Sequence, residues 1–477
     1  MEREALDGLS REELLDLLLR QVELVGQQQA ELEERAAAIE RRDEKIRALE
    51  EELAQFRRPV KTPENSSVPP SRGQKANRAA GRHRKHGPKR GHSGVSRRRS
   101  EPEMVVECRP SACNRCGEPL PQVGGRRVGR SQVTEVPPVE PVVIEAWQFA
   151  VTCPHCGTQT VGAYPPGLEP RRTFGPRIEA LLSYLHERHH VSYERLVELS
   201  RDVLGLQISQ GGVENALRRL VERARPTYAA IRKTVRASSV INSDETSARV
   251  EGRTQWQWTF QTPEASYHLI APSRAGEVID TFLDGAEPAV WGSDLYAPQM
   301  LTAATAHQIC HSHQARDLTF AAEVDTSNER LWALELRHVF GRAIRLHRER
   351  AQVTPTTFAR RRTRIEKATD RLVFERYVAP KTEAARLQQR YRTHRDSLYV
   401  FLDRDDVDPT NNSSERDLRP SVIHRTVIGG FRSAWGAEAS AIRTSILATA
   451  RKQGRNLLDA LCAIAGPSPL QNIAARL

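Results

Sequence analysis

Ser239-Val240-Ile241-Asn242-Ser243-Asp244-Glu245-Thr246 is the stretch on which the reading of the chain turns. Val240 and Ile241 are β-branched and apolar, as a short buried strand requires. The strand runs into Asp244, an acid placed where it should surface. A carboxylate at the end of a buried strand is rigidly aimed, which suits a metal ligand or a catalytic acid or base. A strand-end Asp that hydrogen-bonds a turn is the competing explanation. Glu245, its neighbour, points to the opposite side of an extended chain.

Downstream, Arg253-Thr254-Gln255-Trp256-Gln257-Trp258-Thr259-Phe260 alternates polar and aromatic residues, the pattern of a half-buried strand. Tyr267–Ile270 reads as a third strand, Ala275–Leu283 as a helix, and Ala289–Ser293 as a fourth strand that again ends in an acid, Asp294. Ala306–Cys310 reads as a fifth strand opening onto Cys310-x-x-His313. Residues 314–400 read as helical. They are followed by Glu415 on a short helix begun at Asn411 to Ser413, and by helices at roughly 436–453 and 456–465. Strands mixed with helices in this order describe a mixed sheet flanked by helices.

Upstream, Leu18, Val25, Leu32, Ile39, Ile46 and Leu53 recur at every seventh residue within 10–57. That repeat predicts a coiled coil and self-association, whereas the polar companion column (Gln21, Gln28, Arg35, Arg42) suits an amphipathic helix packed on its own body. The segment 66–100 has no acid but many cations, among them Arg82, Arg84, Lys85, Lys89 and Arg90. Such a stretch cannot fold alone and can release counterions along phosphates. The whole chain of 477 residues carries a net charge of +12, and 1–57 holds 16 Asp/Glu against 9 Lys/Arg, so the remainder carries +19. A basic body points to a polyanion, nucleic acid first. No run approaches the ~18 apolar residues of a membrane span, and no signal peptide is evident. A cytoplasmic location is therefore expected.

Cys113-Asn114-Arg115-Cys116-Gly117 and Cys153-Pro154-His155-Cys156-Gly157 are two CxxC knuckles. Four thiolates in two hairpin turns predict a closed, structural tetrahedral zinc site, with redox use of either pair as the weaker alternative. Between them, Val142, Val143, Ile144, Trp147 and Phe149 read as strands. Cys108 lies outside the spacing. Residues 174–225 read as wholly helical. Within them a Ser192-capped helix ends at Gly205 and a Ser209-capped helix follows, a helix-turn-helix outline that any packed helix pair also shows. Asp244, Asp294 and Glu415 are hard oxygen donors of the kind two Mg²⁺ ions require at a phosphodiester.

Taken in order, Asn65-Ser66-Ser67 with Pro69-Pro70-Ser71, Gly91-His92-Ser93-Gly94, the paired knuckles, Ser243-Asp244-Glu245-Thr246, Ser293-Asp294-x-Tyr296, Cys310-x-x-His313 and Asn411-Asn412-x-x-Glu415-Arg416-x-Leu418-Arg419 resemble the transposases of the insertion sequence 66 family. Leu295, His311 and Thr410 depart from that family's commoner residues. The resemblance implies a ribonuclease-H-like domain in which Asp244, Asp294 and Glu415 are the catalytic, Mg²⁺- or Mn²⁺-binding triad. It implies DNA cleavage and strand transfer, and a bacterial, nucleoid-associated setting. DNA ends, target DNA, a second copy of the chain and small companion proteins of the same element would be the partners. Arg416 and Arg419 either neutralise phosphates or pair with Asp417 or the insertion. Cys310 and His313 shape the site or the structure.

The expected fold is multidomain α/β. A coiled-coil helix (1–57), a basic disordered linker (58–104), a zinc-ribbon-like module (105–170) and a helix-turn-helix-like domain (171–235) precede the catalytic domain (236–477), whose helical insertion covers about 315–405. A non-catalytic DNA-binding regulator derived from a transposase is the alternative.

Overall fold

A computed structural model describes residues 10–57, 61–62, 65 and 98–469. Most of the expected linker, including Arg82, Arg84, Lys85, Lys89 and Arg90, lies outside the described residues. The architecture is mixed α/β, with antiparallel and parallel strands and many helices. Elements are numbered along the whole chain. They divide into two compact units, 1–73 with 290–300 and 304–412, and 74–289 with 301–303 and 413–477.

The first unit begins with helix α1 (Arg11–Arg57). Its heptad positions Leu18, Val25, Leu32, Ile39 and Ile46 are 52–65 % exposed, so no other part of the chain covers the seam among the described residues. Pairs such as Arg20–Asp16 and Arg35–Glu31, four residues apart, lie along the helix surface. The unit continues with strands β6 (Val290–Ser293) and β7 (Ala306–Ile309), which pair in parallel, and the short helix α6 (Ala297–Met300) between them. Helices α7 (His311–Val324), α8 (Ser327–Arg348), α9 (Pro355–Asp370), α10 (Glu383–Thr393) and α11 (Val400–Asp403) follow. Their core gathers Trp332, Leu336, Phe340, Tyr391 and Phe401. Asn65 is buried here, its amide donating to Glu323 on α7.

The second unit holds β1 (Ala150–Thr152) and β2 (Gln159–Val161), a small antiparallel pair. Expected strand residues Val142, Val143, Ile144, Trp147 and Phe149 lie outside any strand, and all but Ile144 are exposed. Pairing starts only at Ala150, because nothing apolar covers the earlier residues. Helices α2 (Pro176–His189), α3 (Tyr193–Leu204) and α4 (Gln210–Arg236) pack around Leu182, Leu196, Val213, Ala216 and Leu217. The helical stretch 174–225 is divided at His190 and, as expected, at Gly205, both left-handed. Ser192 and Ser209 cap the helices that follow, accepting from the backbone N–H of Arg195 and Gly212.

Strands β3 (Val240–Val250), β4 (Arg253–Gln261) and β5 (Ser266–Ala271) form an antiparallel meander. Helix α5 (Glu277–Leu283) covers one face, where Phe282 stacks on Phe260 at 3.9 Å. Helices α12 (Asn412–Ile428), α13 (Ala434–Lys452) and α14 (Leu457–Ala465) complete the unit. The helix carrying Glu415 has 17 residues, so it is not the short one expected. Hydroxyls on α13 stand in for a strand beside β5: Thr449 Oγ1 accepts from the Ser266 N–H and Ser445 Oγ from the His268 N–H. No described helix is long and apolar enough to cross a membrane.

Candidate active site

Period-two alternation sorts the meander's side chains. Asp244 lies opposite Thr259, Asn242 opposite Gln261, and Thr246 opposite Gln257, so these six share one face. Glu245 belongs to the other face. Its side chain is buried, and Arg274 clamps it through Nε at 2.9 Å and Nη2 at 2.6 Å. Burial in a structural ion pair takes Glu245 out of consideration as a metal ligand.

Helix α12 runs along the face that carries Asp244. Gln261 donates to Ser413 at 2.6 Å and to Ser414 at 3.2 Å, while Gln257 donates to Ser421 at 2.7 Å. Further along, Arg425 Nη1 reaches Thr246 Oγ1 at 3.1 Å. Gln257 and Gln261 therefore dock the helix beside Asp244, and Glu415 sits within its first turn. Asp244 and Glu415 are both half-buried. The far end of the helix is stitched to β3: Phe431 N–H donates to Arg249 O at 2.7 Å and Glu251 N–H to Phe431 O at 2.9 Å. Gly430 makes that approach possible. Its φ is +103°, and a Cβ there would meet Arg249 O at 2.7 Å.

Asp417, two residues past Glu415, is buried among Ser266, Arg451 and Lys452, with Arg451 Nη2 at 2.9 Å and Lys452 Nζ at 3.2 Å. Burial pushes its carboxyl up, but the Lys452 and His268 charges and the Ser266 hydroxyl hold it below the usual range. Asp417 is thus paired from α13, and the alternative in which Arg416 or Arg419 pairs with it is not what the fold shows. Arg416 and Arg419 are exposed and make no ion pair among the described residues.

Asp294 follows β6 in the first unit. Its Oδ1 accepts from the Tyr296 N–H at 2.9 Å, the turn-forming bond that a strand-end Asp commonly makes. In the same unit Cys310 caps α7, and its buried sulfur accepts from the Asn411 N–H at 3.1 Å. Burial raises this thiol's pKa, but the hydrogen bond and charge of His313 outweigh that and lower it.

The two knuckles are built alike. The Cys113 N–H donates to Glu118 O and the Gly117 N–H to Cys113 O, and the Cys153 N–H to Thr158 O and Gly157 N–H to Cys153 O repeat the pattern. Backbone N–H groups of Arg115 and Cys116, then the Cys116 thiol, lower the pKa of Cys113. Thr158, then the Cys153 thiol, does the same for Cys156. Each knuckle thus holds its own two thiols together, and four such sulfurs are a zinc donor set. Among the described residues, no three His, Cys, Asp or Glu side chains lie close enough together to hold a metal ion.

Sequence reasoning missed the roles of Gln257, Gln261, Ser413 and Ser421, and it named Asp417 without finding its partners Arg451 and Lys452. The alternation of glutamines with tryptophans on β4 was the available signal that one face expected polar company. A family model described as "Transposase IS66 family" matches residues 171–439, more than half of the chain. The "zinc-finger binding domain of transposase IS66" matches residues 110–157. No curated protein matches the chain.

Proposed function

Because the chain belongs to the IS66 family of transposases, we propose that it cuts DNA at the ends of an insertion sequence and joins them to target DNA, with Asp244, Asp294 and Glu415 as the carboxylates of a ribonuclease-H-like site. The observation that carries this reading is the shared face: β3 presents Asp244 on the side of the sheet along which the helix bearing Glu415 is docked. Hard carboxylate oxygens on strand and helix suit Mg²⁺ or Mn²⁺. Two such ions, when bound, polarise the phosphate and stabilise attacking and leaving oxygens. Water oxygen would bond to phosphorus as the bond to O3′ breaks, freeing a 3′-hydroxyl. That hydroxyl would attack a target phosphodiester, and the target's own 3′-oxygen would leave.

The protein's own part is to hold the reacting strand in line. Exposed Arg416 and Arg419, one helical turn apart on α12, would contact phosphates next to Glu415. The α3–α4 pair and the basic segment with Arg82, Arg84, Lys85, Lys89 and Arg90 would add affinity for the ends. Cys113, Cys116, Cys153 and Cys156 would hold a structural zinc. The exposed seam of α1 would pair with a second copy as a coiled coil.

Purified full-length chain with a duplex carrying an element end and Mg²⁺ or Mn²⁺ tests the reading. Asp244→Asn should bind the duplex as wild type does but lose cleavage by more than the about 10–100-fold that loss of a supporting residue costs. Normal cleavage by this folded variant sinks the assignment. Binding without cleavage by the wild type, under either metal, identifies a regulator instead.

A further inference from the structure

We propose that the insertion hairpin of α8 and α9 is a second DNA-backbone surface, with a track of four cations, three on α9 and Arg371 in the turn that continues it, as its centre. The inference rests on the proposed role of the chain as a DNA-handling transposase. Arg360, Arg364, Lys367 and Arg371 are all exposed and fall at intervals of four, three and four residues. That spacing puts them on one face of the helix, each a neighbour of the next. Eleven residues at ~1.5 Å each extend about 17 Å, over which one strand of a duplex passes about five phosphates at ~3.4 Å of axial rise.

A run of charge is most often a solvated face whose cations meet nearby acids. Here five of the six acids, all but the exposed Glu375, are engaged elsewhere. Residues 327–376 contain 13 Lys/Arg and 6 Asp/Glu, an excess of seven cations. Glu349 binds Arg361, Glu366 binds Arg362, and Glu335 binds Arg376. Asp370 binds Arg395, and Glu329 accepts from the Ala379 N–H. None of the four track cations has an ion pair among the described residues. On α8, Arg337, Arg342, Arg345 and Arg348 are likewise exposed and without an ion pair among those residues. Concentrated positive charge on a rigid hairpin, uncompensated by the protein's own carboxylates, is stabilised by an external polyanion and by release of its counterions. The helix is held from beneath by buried Ile365 and Thr369, the latter bonded to Tyr399 at 2.6 Å, so the track keeps its geometry without a partner.

The test uses full-length protein, a blunt DNA duplex and fluorescence anisotropy across a series of salt concentrations. Replacing Arg360, Arg364, Lys367 and Arg371 together by Ala should leave the thermal melt unchanged, since all four are exposed. It should flatten the slope of log K against log salt by about 3 to 4, at ~0.9 for each phosphate no longer neutralised. A companion carrying Arg360→Lys, Arg364→Lys and Arg371→Lys should keep the wild-type slope, because a phosphate track needs charge more than shape. A wild-type slope in the folded quadruple Ala variant overturns this proposal alone. A wild-type chain that binds no duplex overturns both this proposal and the function it rests on.

Discussion

Replacing Arg443 by Met tests how the α2–α4 helices are held to α13. Glu187 on α2 and Arg443 on α13 form an ion pair at 3.1 Å with side chains 5 % and 2 % exposed. Glu187 also accepts from Ser440 at 2.7 Å and Thr444 at 3.0 Å. Burial pushes its carboxyl up, yet the charge of Arg443, aided by His424 and His186 and by the Ser440 hydrogen bond, brings it from 4.5 to about 2. A folded-state pKa below the unfolded one contributes stability that is present above pH 4.5 and lost as the pH falls toward 2. At ~1.36 kcal/mol per pH unit that contribution is about 3 kcal/mol. Removing the arginine leaves a buried carboxylate without its counter-charge, a loss of about 3–5 kcal/mol. For a unit of this size that lowers Tm by about 10 °C or more. Scanning calorimetry should show the drop in Arg443→Met. The double variant Glu187→Leu/Arg443→Met should recover much of it, since two apolar side chains of similar volume leave no stranded charge. A Tm within about 2 °C of wild type in Arg443→Met would refute the reasoning. So would a double variant less stable than both single ones.

Two further outcomes follow from the same structure. His268 and His311 are fully buried, and burial brings the pKa of each from 6.5 to about 4. The unfolded chain then takes up protons that the fold excludes, so stability should hold above pH 6.5 and fall between 6.5 and 4, by up to ~1.4 kcal/mol per pH unit for each histidine; a Tm that stays flat from pH 7 to about 5 contradicts this. The β1–β2 pair has every residue exposed and no core of its own, so a chelator, or Cys113→Ser, should open the zinc module alone. Limited proteolysis checks this, with new cuts expected between about 105 and 165 and an intact fragment from α2 onward; cleavage unchanged after zinc removal contradicts it.

Patterns that depend on neighbours along the chain are legible in the residues themselves. Ser192, Gly205 and Ser209 announce the ends of α3 and α4 because caps act within one helical turn. The alternation of Trp256, Trp258 and Phe260 announces β4, and the heptads announce α1. What is not legible depends on groups far apart in sequence. Glu187 and Arg443 are 256 residues apart, and no local pattern marks either as buried. Asp417 has Arg416 and Arg419 close by in sequence, yet it pairs with Arg451 and Lys452, because α13 covers that side of β5. The stretch 142–149 departs from expectation for the opposite reason. Its residues have the composition of strands but no layer to bury them, and composition alone does not supply one.

The stitch between Phe431 and β3 turns α12 into a calibrated spacer. With its far end fixed at Arg249 and Glu251, the rotational phase of Glu415 depends on the number of residues between them. Each residue added or removed between Arg416 and Ile428 swings the carboxylate by about 100° and slides it by ~1.5 Å. A substitution on the solvent side of that helix leaves the count intact, whereas a one-codon deletion does not. The segment should therefore accept many changes of residue and almost none of length, a constraint that falls on spacing where no single side chain carries it.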